Sequence, residues 1–185
     1  MNEDFLDIVA VEDTHVKNGS FSSTNFGKSV MIEFKAETLP DFGRLVYLKF
    51  DLSKVSKKDF VSVQLRMTAD SAEKKTMATV FNIYEIDPNS WAENDVTYDT
   101  QPAKGRLIST HTLTFQSSMI FPITDYIREK FNCGETKFSL MLDGDYAQKN
   151  RIDFYSREKA GQPQPRIRIN YAEKESFMRD LPTQS

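Results

Sequence analysis

Gly43-Arg44-Leu45-Val46-Tyr47-Leu48-Lys49-Phe50-Asp51-Leu52 decides the fold. At a period of two, Val46, Leu48, Phe50 and Leu52 take one face, and Tyr47, Lys49 and Asp51 take the other. That alternation is a strand with one face in a core and one toward water or a ligand. The next strand repeats it. Val61, Val63, Leu65 and Met67 point one way, and Ser62, Gln64 and Arg66 the other. If the two strands share a sheet, Lys49 and Arg66 share a polar surface.

Outward from this pair the same pattern recurs. Strands are expected at Asp7–Val16, Val30–Lys35, Met77–Ile86, Arg106–Leu113, Ser118–Pro122, 138–142, 152–155 and Arg166–Tyr171, with a short edge segment at Val96–Tyr98. Turn chemistry separates them at Asn18-Gly19-Ser20, Leu39-Pro40-Asp41-Phe42-Gly43, Asp87-Pro88-Asn89 and Gln101-Pro102-Ala103-Lys104-Gly105. Asn18-Gly19-Ser20 also fits the glycosylation acceptor pattern. Thr68–Lys75 reads as a charged loop, and Ser53–Asp59 as a polar connector. Ser90-Trp91-Ala92-Glu93 has the spacing of a capping box and predicts one helical turn. Thr124 is placed to cap a short helix over Asp125–Phe131, which Gly134 ends.

About nine or ten short strands, with turns every 8–12 residues and no strand–helix alternation, predict an all-β fold. The expected architecture is an antiparallel β-sandwich, a jelly roll, with one or two short helical turns. Residues 1–7 read as a leader, 8–171 as one module, and 172–185 as a tail or linker whose Glu173–Leu181 stretch reads as a weak helix or linker start.

Composition narrows the function classes. The chain has 185 residues, of which 39% are hydrophobic, enough for one sizeable core. Net charge is −3, so no whole-molecule field draws nucleic acid. No run of about 18 apolar residues spans a membrane. Met1-Asn2-Glu3-Asp4 lacks the basic start of a signal peptide. The single cysteine, Cys133, forms no internal disulfide and reads as a partly buried loop residue. Two histidines, His15 and His111, give no basis for zinc. Asp13, Asn25 and the Asp143-Gly144-Asp145 turn carry oxygens of the kind calcium takes, but the spacing of an EF-hand is absent and turn chemistry accounts for them. No cofactor is expected, and the metal question stays open.

No Gly-x-Ser-x-Gly elbow, phosphate loop or His-Glu-x-x-His helix occurs, so no catalytic site is assigned. The more specific signal is basic. Lys49 and Arg66, with Arg157, suit carboxylate or sulfate, Arg through two parallel bonds and Lys as a point charge. The bland alternative pairs each with a local acid, such as Arg157 with Glu158, and needs no function. Tyr47 is a candidate stacking platform for a sugar ring, whereas Trp91 reads as a plug at the sheet edge.

Several pieces in order carry a family resemblance: Asn25-Phe26-Gly27, Arg44-x-x-Tyr47-Leu48-Lys49-Phe50-Asp51-Leu52, Leu65-Arg66-Met67, Trp91-x-Glu93-x-x-Val96-Thr97-Tyr98, Gln101-Pro102 and Ser156-Arg157-Glu158. Together the set resembles the DNRLRE-type domain, also classed as carbohydrate-binding module family 96, over about residues 8–171. The resemblance implies a non-catalytic module of a secreted or cell-surface bacterial protein, binding an acidic polysaccharide such as alginate beside an adjacent catalytic domain. It implies ligand contacts at Lys49, Arg66 and Arg157, and further ones at Tyr47, Asn25 and Arg44. Arg44 has the parity of Val46 and is expected on the core side. A monomer is expected, with no nucleic-acid partner. Two other readings compete: a structural or adhesion spacer, marked by Lys49, Arg66 and Arg157 each in an internal ion pair, and a small polysaccharide lyase using Lys49, Arg66 and Tyr47.

Overall fold

A computed structural model describes residues 4–55 and 60–172. Its strands are β1 (Phe5–Val9), β2 (Glu12–Lys17), β3 (Met31–Phe34), β4 (Arg44–Asp51), β5 (Phe60–Ala72), β6 (Ala78–Ile86), β7 (Leu107–Thr114), β8 (Ser118–Pro122), β9 (Lys137–Gly144), β10 (Ile152–Tyr155) and β11 (Arg166–Tyr171). One helix, α1, covers Thr124–Asn132.

Alternation sets the inner faces. Val46, Leu48, Phe50 and Leu52 are at most 1% exposed, as are Val63, Leu65 and Met67. They meet Phe34, Phe81, Phe121, Phe138 and Phe154 in one core between two sheets. One sheet has five strands in the order β2-β4-β9-β6-β7. The other has six, ordered β1-β11-β5-β10-β3, with β8 also on β5. All pairings are antiparallel.

The topology is the expected jelly roll. β10 pairs with the Ala69–Ala72 end of β5 and β11 with its Phe60–Arg66 end, so the two act as one interrupted strand. β1 and β3 lie beyond them on the same side. Gln64 of β5 pairs with both Arg168 and Pro122, which puts β11 and β8 on its two flanks. Counted this way the strands fall into lanes β1/β3, β10/β11, β5, β8 and β4, β9, β6, β7, the pattern of two Greek keys, with β2 as a fifth strand at the edge beside β4.

Several expected boundaries move. The run Asp7–Val16 is two strands in different sheets. At Ala10 and Val11 the chain crosses over, its N–H groups donating to Pro165 O (2.9 Å) and Lys49 O (2.8 Å). β1 starts at Phe5, inside the stretch read as a leader, because its edge pairing with β11 begins there. β5 runs on through Thr68–Ala72, where a loop was expected, because β10 and the Ser117 carbonyl take its backbone. Thr124 does not cap α1. Its Oγ accepts from Val63 N–H (3.0 Å) and tethers the helix to β5. α1 buries Tyr126, Ile127 and Phe131, and Gly134 follows it at φ +75°, where only glycine is unstrained. Cys133 is exposed at the helix end. Asn18 is 7% exposed, and its amide bridges Leu39 O and Gly43 N–H, which closes it as a glycosylation acceptor. Glu173–Leu181 and the 56–59 part of the connector lie outside the described residues.

Candidate functional site

The basic residues chosen from sequence fall in two regions. Lys49 lies on β4 in the five-stranded sheet, and Arg66 lies on β5 in the other. They share no surface, because a whole sandwich core separates the outer faces of the two sheets.

Around Lys49 the outer face of the five-stranded sheet is roofed by residues 87–101. Trp91 packs on Tyr47 with ring centroids 5.6 Å apart. With Val16, Ile86, Val96 and Met141 they form a second, smaller apolar cluster. Tyr47 is therefore 0% exposed, not an open platform; its hydroxyl donates to Gln101 Oε1 at 2.9 Å, and burial raises its pKa. Trp91 is the edge plug expected, 7% exposed, with Nε1 donating to Ser139 Oγ (3.1 Å). Lys49 Nζ donates to Glu12 Oε1 (2.9 Å) and Trp91 O (2.8 Å), and stands 4.5 Å from the indole centroid. Its positive charge is matched within the fold.

The predicted capping box does not form. Ser90 Oγ donates to Asp87 O, while Glu93 N–H donates to the Glu12 carboxylate (2.8 Å). The Ala92 carbonyl closes only an isolated turn through Asp95 and Val96 N–H, and Val96–Tyr98 forms no strand. Asn25 and Arg157 serve the same segment. Asn25 Nδ2 donates to Glu93 O and Val96 O, both at 2.8 Å. A Cβ at Gly27 would stand 2.2 Å from Glu93 O, so this approach needs glycine there. Arg157 pairs with Glu93 Oε1 at 3.1 Å. Arg44, 6% exposed, bonds the Glu33 carboxylate and the Phe42 carbonyl, in keeping with its parity. Lys49, Arg66 and Tyr47 therefore do not converge as a lyase would need.

On the six-stranded sheet, Arg66 keeps its expected orientation. Ser62, Gln64 and Arg66 line a shallow groove of about 560 Å³ with Ile120, Arg168 and Asn170. Arg166 is directly opposite Arg66 in register, and Arg168 is opposite Gln64. Asp7 joins from β1, pairing with Arg168 (2.7 Å) and Arg166 (3.3 Å). Arg66 makes no ion pair among the described residues, and its Nε is buried without a hydrogen-bond partner. Burial and the Arg168 and Arg166 charges all press against its cationic form. Phe5, 46% exposed, stacks under the Arg168 guanidinium at 3.8 Å.

Like charges directly opposed across strands are destabilising, so the Arg66–Arg166 pairing costs the fold. Arg166 and Arg168 were not among the residues chosen from sequence. Their signal was the alternation Arg166-Ile167-Arg168-Ile169-Asn170, which sets both on one face.

No helix among the described residues is long and apolar enough to cross a membrane. The chain matches the model of carbohydrate-binding module family 96 over residues 5–171. No curated protein matches it.

Proposed function

The chain belongs to carbohydrate-binding module family 96, and from that premise we propose that it binds an acidic, uronate-rich polysaccharide such as alginate. It catalyses nothing on the polymer. Acting as a monomer outside the cell, it keeps an associated degrading enzyme at its substrate, where tethering turns encounter into an intramolecular event. One observation carries the acidic class: Arg66, without an ion pair among the described residues, faces Arg166 across β5 and β11 in an open groove.

In this reading the guanidinium of Arg66 takes a uronate carboxylate through two parallel bonds. Ser62, Gln64 and Asn170 beside it meet sugar hydroxyls. The polymer relieves the Arg66–Arg166 repulsion, so ligand binding and the local field act in the same direction. Exposed charge contacts of this kind weaken as salt rises, with screening over about 8–10 Å at physiological ionic strength.

The spacer reading keeps one observation in its favour: Lys49 and Arg157 are both engaged in internal ion pairs. Affinity electrophoresis separates the two. Alginate, pectate or chondroitin sulfate in the gel should retard the wild type, and an Arg66→Ala/Arg166→Ala variant should run free while keeping its circular dichroism. Retardation by neutral glucans alone would sink the acidic class. No retardation by any polymer would leave the spacer.

A further inference from the structure

Behind the Lys49 roof lies an acidic cluster that the groove does not use. Asp13 comes from β2, Glu93 from the segment after β6, and Glu158 from the loop after β10. One oxygen from each lies within 4.8 Å of the others. Asp13 is only 1% exposed. Its Oδ2 accepts the Arg157 N–H at 2.9 Å, but its Oδ1 is buried with no hydrogen-bond partner. Glu158 Oε2 is likewise buried and without a partner. Acyl oxygens are seldom left so in a native fold.

We infer that Asp13, Glu93 and Glu158 form a calcium site that joins three segments remote in sequence. The charge balance supports it. Among the described residues, three carboxylates meet one guanidinium, Arg157, which already engages Glu93. Three carboxylate oxygens held this close, one of them from the buried Asp13, call for positive charge. A proton would satisfy one oxygen, whereas a divalent ion satisfies an oxygen from every member. All the donors are hard carboxylate oxygens, the set that calcium takes and that zinc or copper does not favour.

Site geometry selects among the hard ions. Calcium takes irregular sets of protein oxygens, whereas magnesium demands a near-ideal octahedron and keeps several waters, and three carboxylates brought together from separate segments fit the former. Carbonyls and water would complete its six to eight ligands. In this role Arg157 is a brace: its N–H orients Asp13 and its guanidinium orients Glu93.

The test is titration of EDTA-treated, desalted protein with calcium chloride and, separately, magnesium chloride, by calorimetry and by thermal melting. One calcium per chain is expected, with Tm raised by about 5–10 °C at a hundredfold excess over Kd. Magnesium should bind at least tenfold more weakly. Asp13→Asn and Glu158→Gln should each weaken calcium binding at least tenfold; Glu158, less buried than Asp13, keeps the test open if Asp13→Asn does not fold. The site is overturned if the chelated wild type gives neither heat nor a Tm shift with calcium. It is equally overturned if Glu158→Gln, folded, keeps the full calcium shift. Polymer retardation reads the groove separately, so either proposal fails without the other.

Discussion

Lys49 on β4 and Arg66 on β5 both project from the outer face of a strand, yet they sit in opposite circumstances. Lys49 is covered by Trp91 and held by Glu12 and a carbonyl, so its charge is used to seat the 87–101 segment. Arg66 opposes another arginine and lines an open groove. A cation matched inside the fold supports structure, whereas a cation set against its like holds potential for an anion from outside. The position of a charge on a strand does not distinguish these cases; the company it keeps does.

The comparison can be broken most severely at Trp91. Trp91→Ala removes the roof over Tyr47 and Lys49 and should cost about 3–5 kcal/mol in urea unfolding, while polymer retardation survives in the cold. A folded Trp91→Ala protein that no longer binds would move the glycan to the five-stranded sheet. Next comes Lys49→Met, which leaves Glu12 without its cation. A loss of about 1.5–3 kcal/mol is expected, with polymer affinity unchanged by calorimetry. Arg66→Ala should do the reverse: stability within about 0.5 kcal/mol of wild type, and affinity for the acidic polymer down about tenfold, or about 1.4 kcal/mol.

The smallest effect sharpens the charge argument. Asp7 is held below its ordinary value of 3.8, first by its hydrogen bond to Arg168. A depressed carboxylate stabilises the fold above its unfolded pKa and loses that contribution as pH falls through the lower folded value. The stability gap between wild type and Asp7→Asn should therefore be constant above about pH 5 and close below pH 4. With Asp7 neutralised beside it, the groove should hold the polymer about two- to threefold more tightly. An unchanged affinity would mean that Asp7 does not belong to the binding surface.

Strand period and turn chemistry made most of this fold legible before any coordinates. Ser118–Pro122 and the inward set of β4 stand as the alternation placed them. The sheet to which each strand belongs was not legible, because pairing is a long-range choice that alternation leaves open. The crossover at Ala10 split one apparent strand for the same reason. At the site, Tyr47 had the right parity for solvent, and only a segment more than forty residues on in sequence covered it. The partners of Lys49 and Arg157 are 37 and 64 residues away, so neither ion pair shows as a local pattern. The Arg166–Arg168 alternation was visible, but its meaning came only when β11 was laid against β5 in register.

β1 and β11 bear on how such a module is carried. They are antiparallel neighbours, and Tyr171 N–H donates to Asp4 O at 2.9 Å, so the described chain arrives and departs at one corner. Spliced into a longer polypeptide, the domain would hang from it as a pendant and add almost nothing to its contour length. A string of inline struts would need its ends at opposite poles. Tension drawn through both ends would peel β1 from β11 one rung at a time, not shear the two strands together. The six-stranded groove lies beside that corner, so a load pulling on the tether would act first on the strand that supplies Asp7.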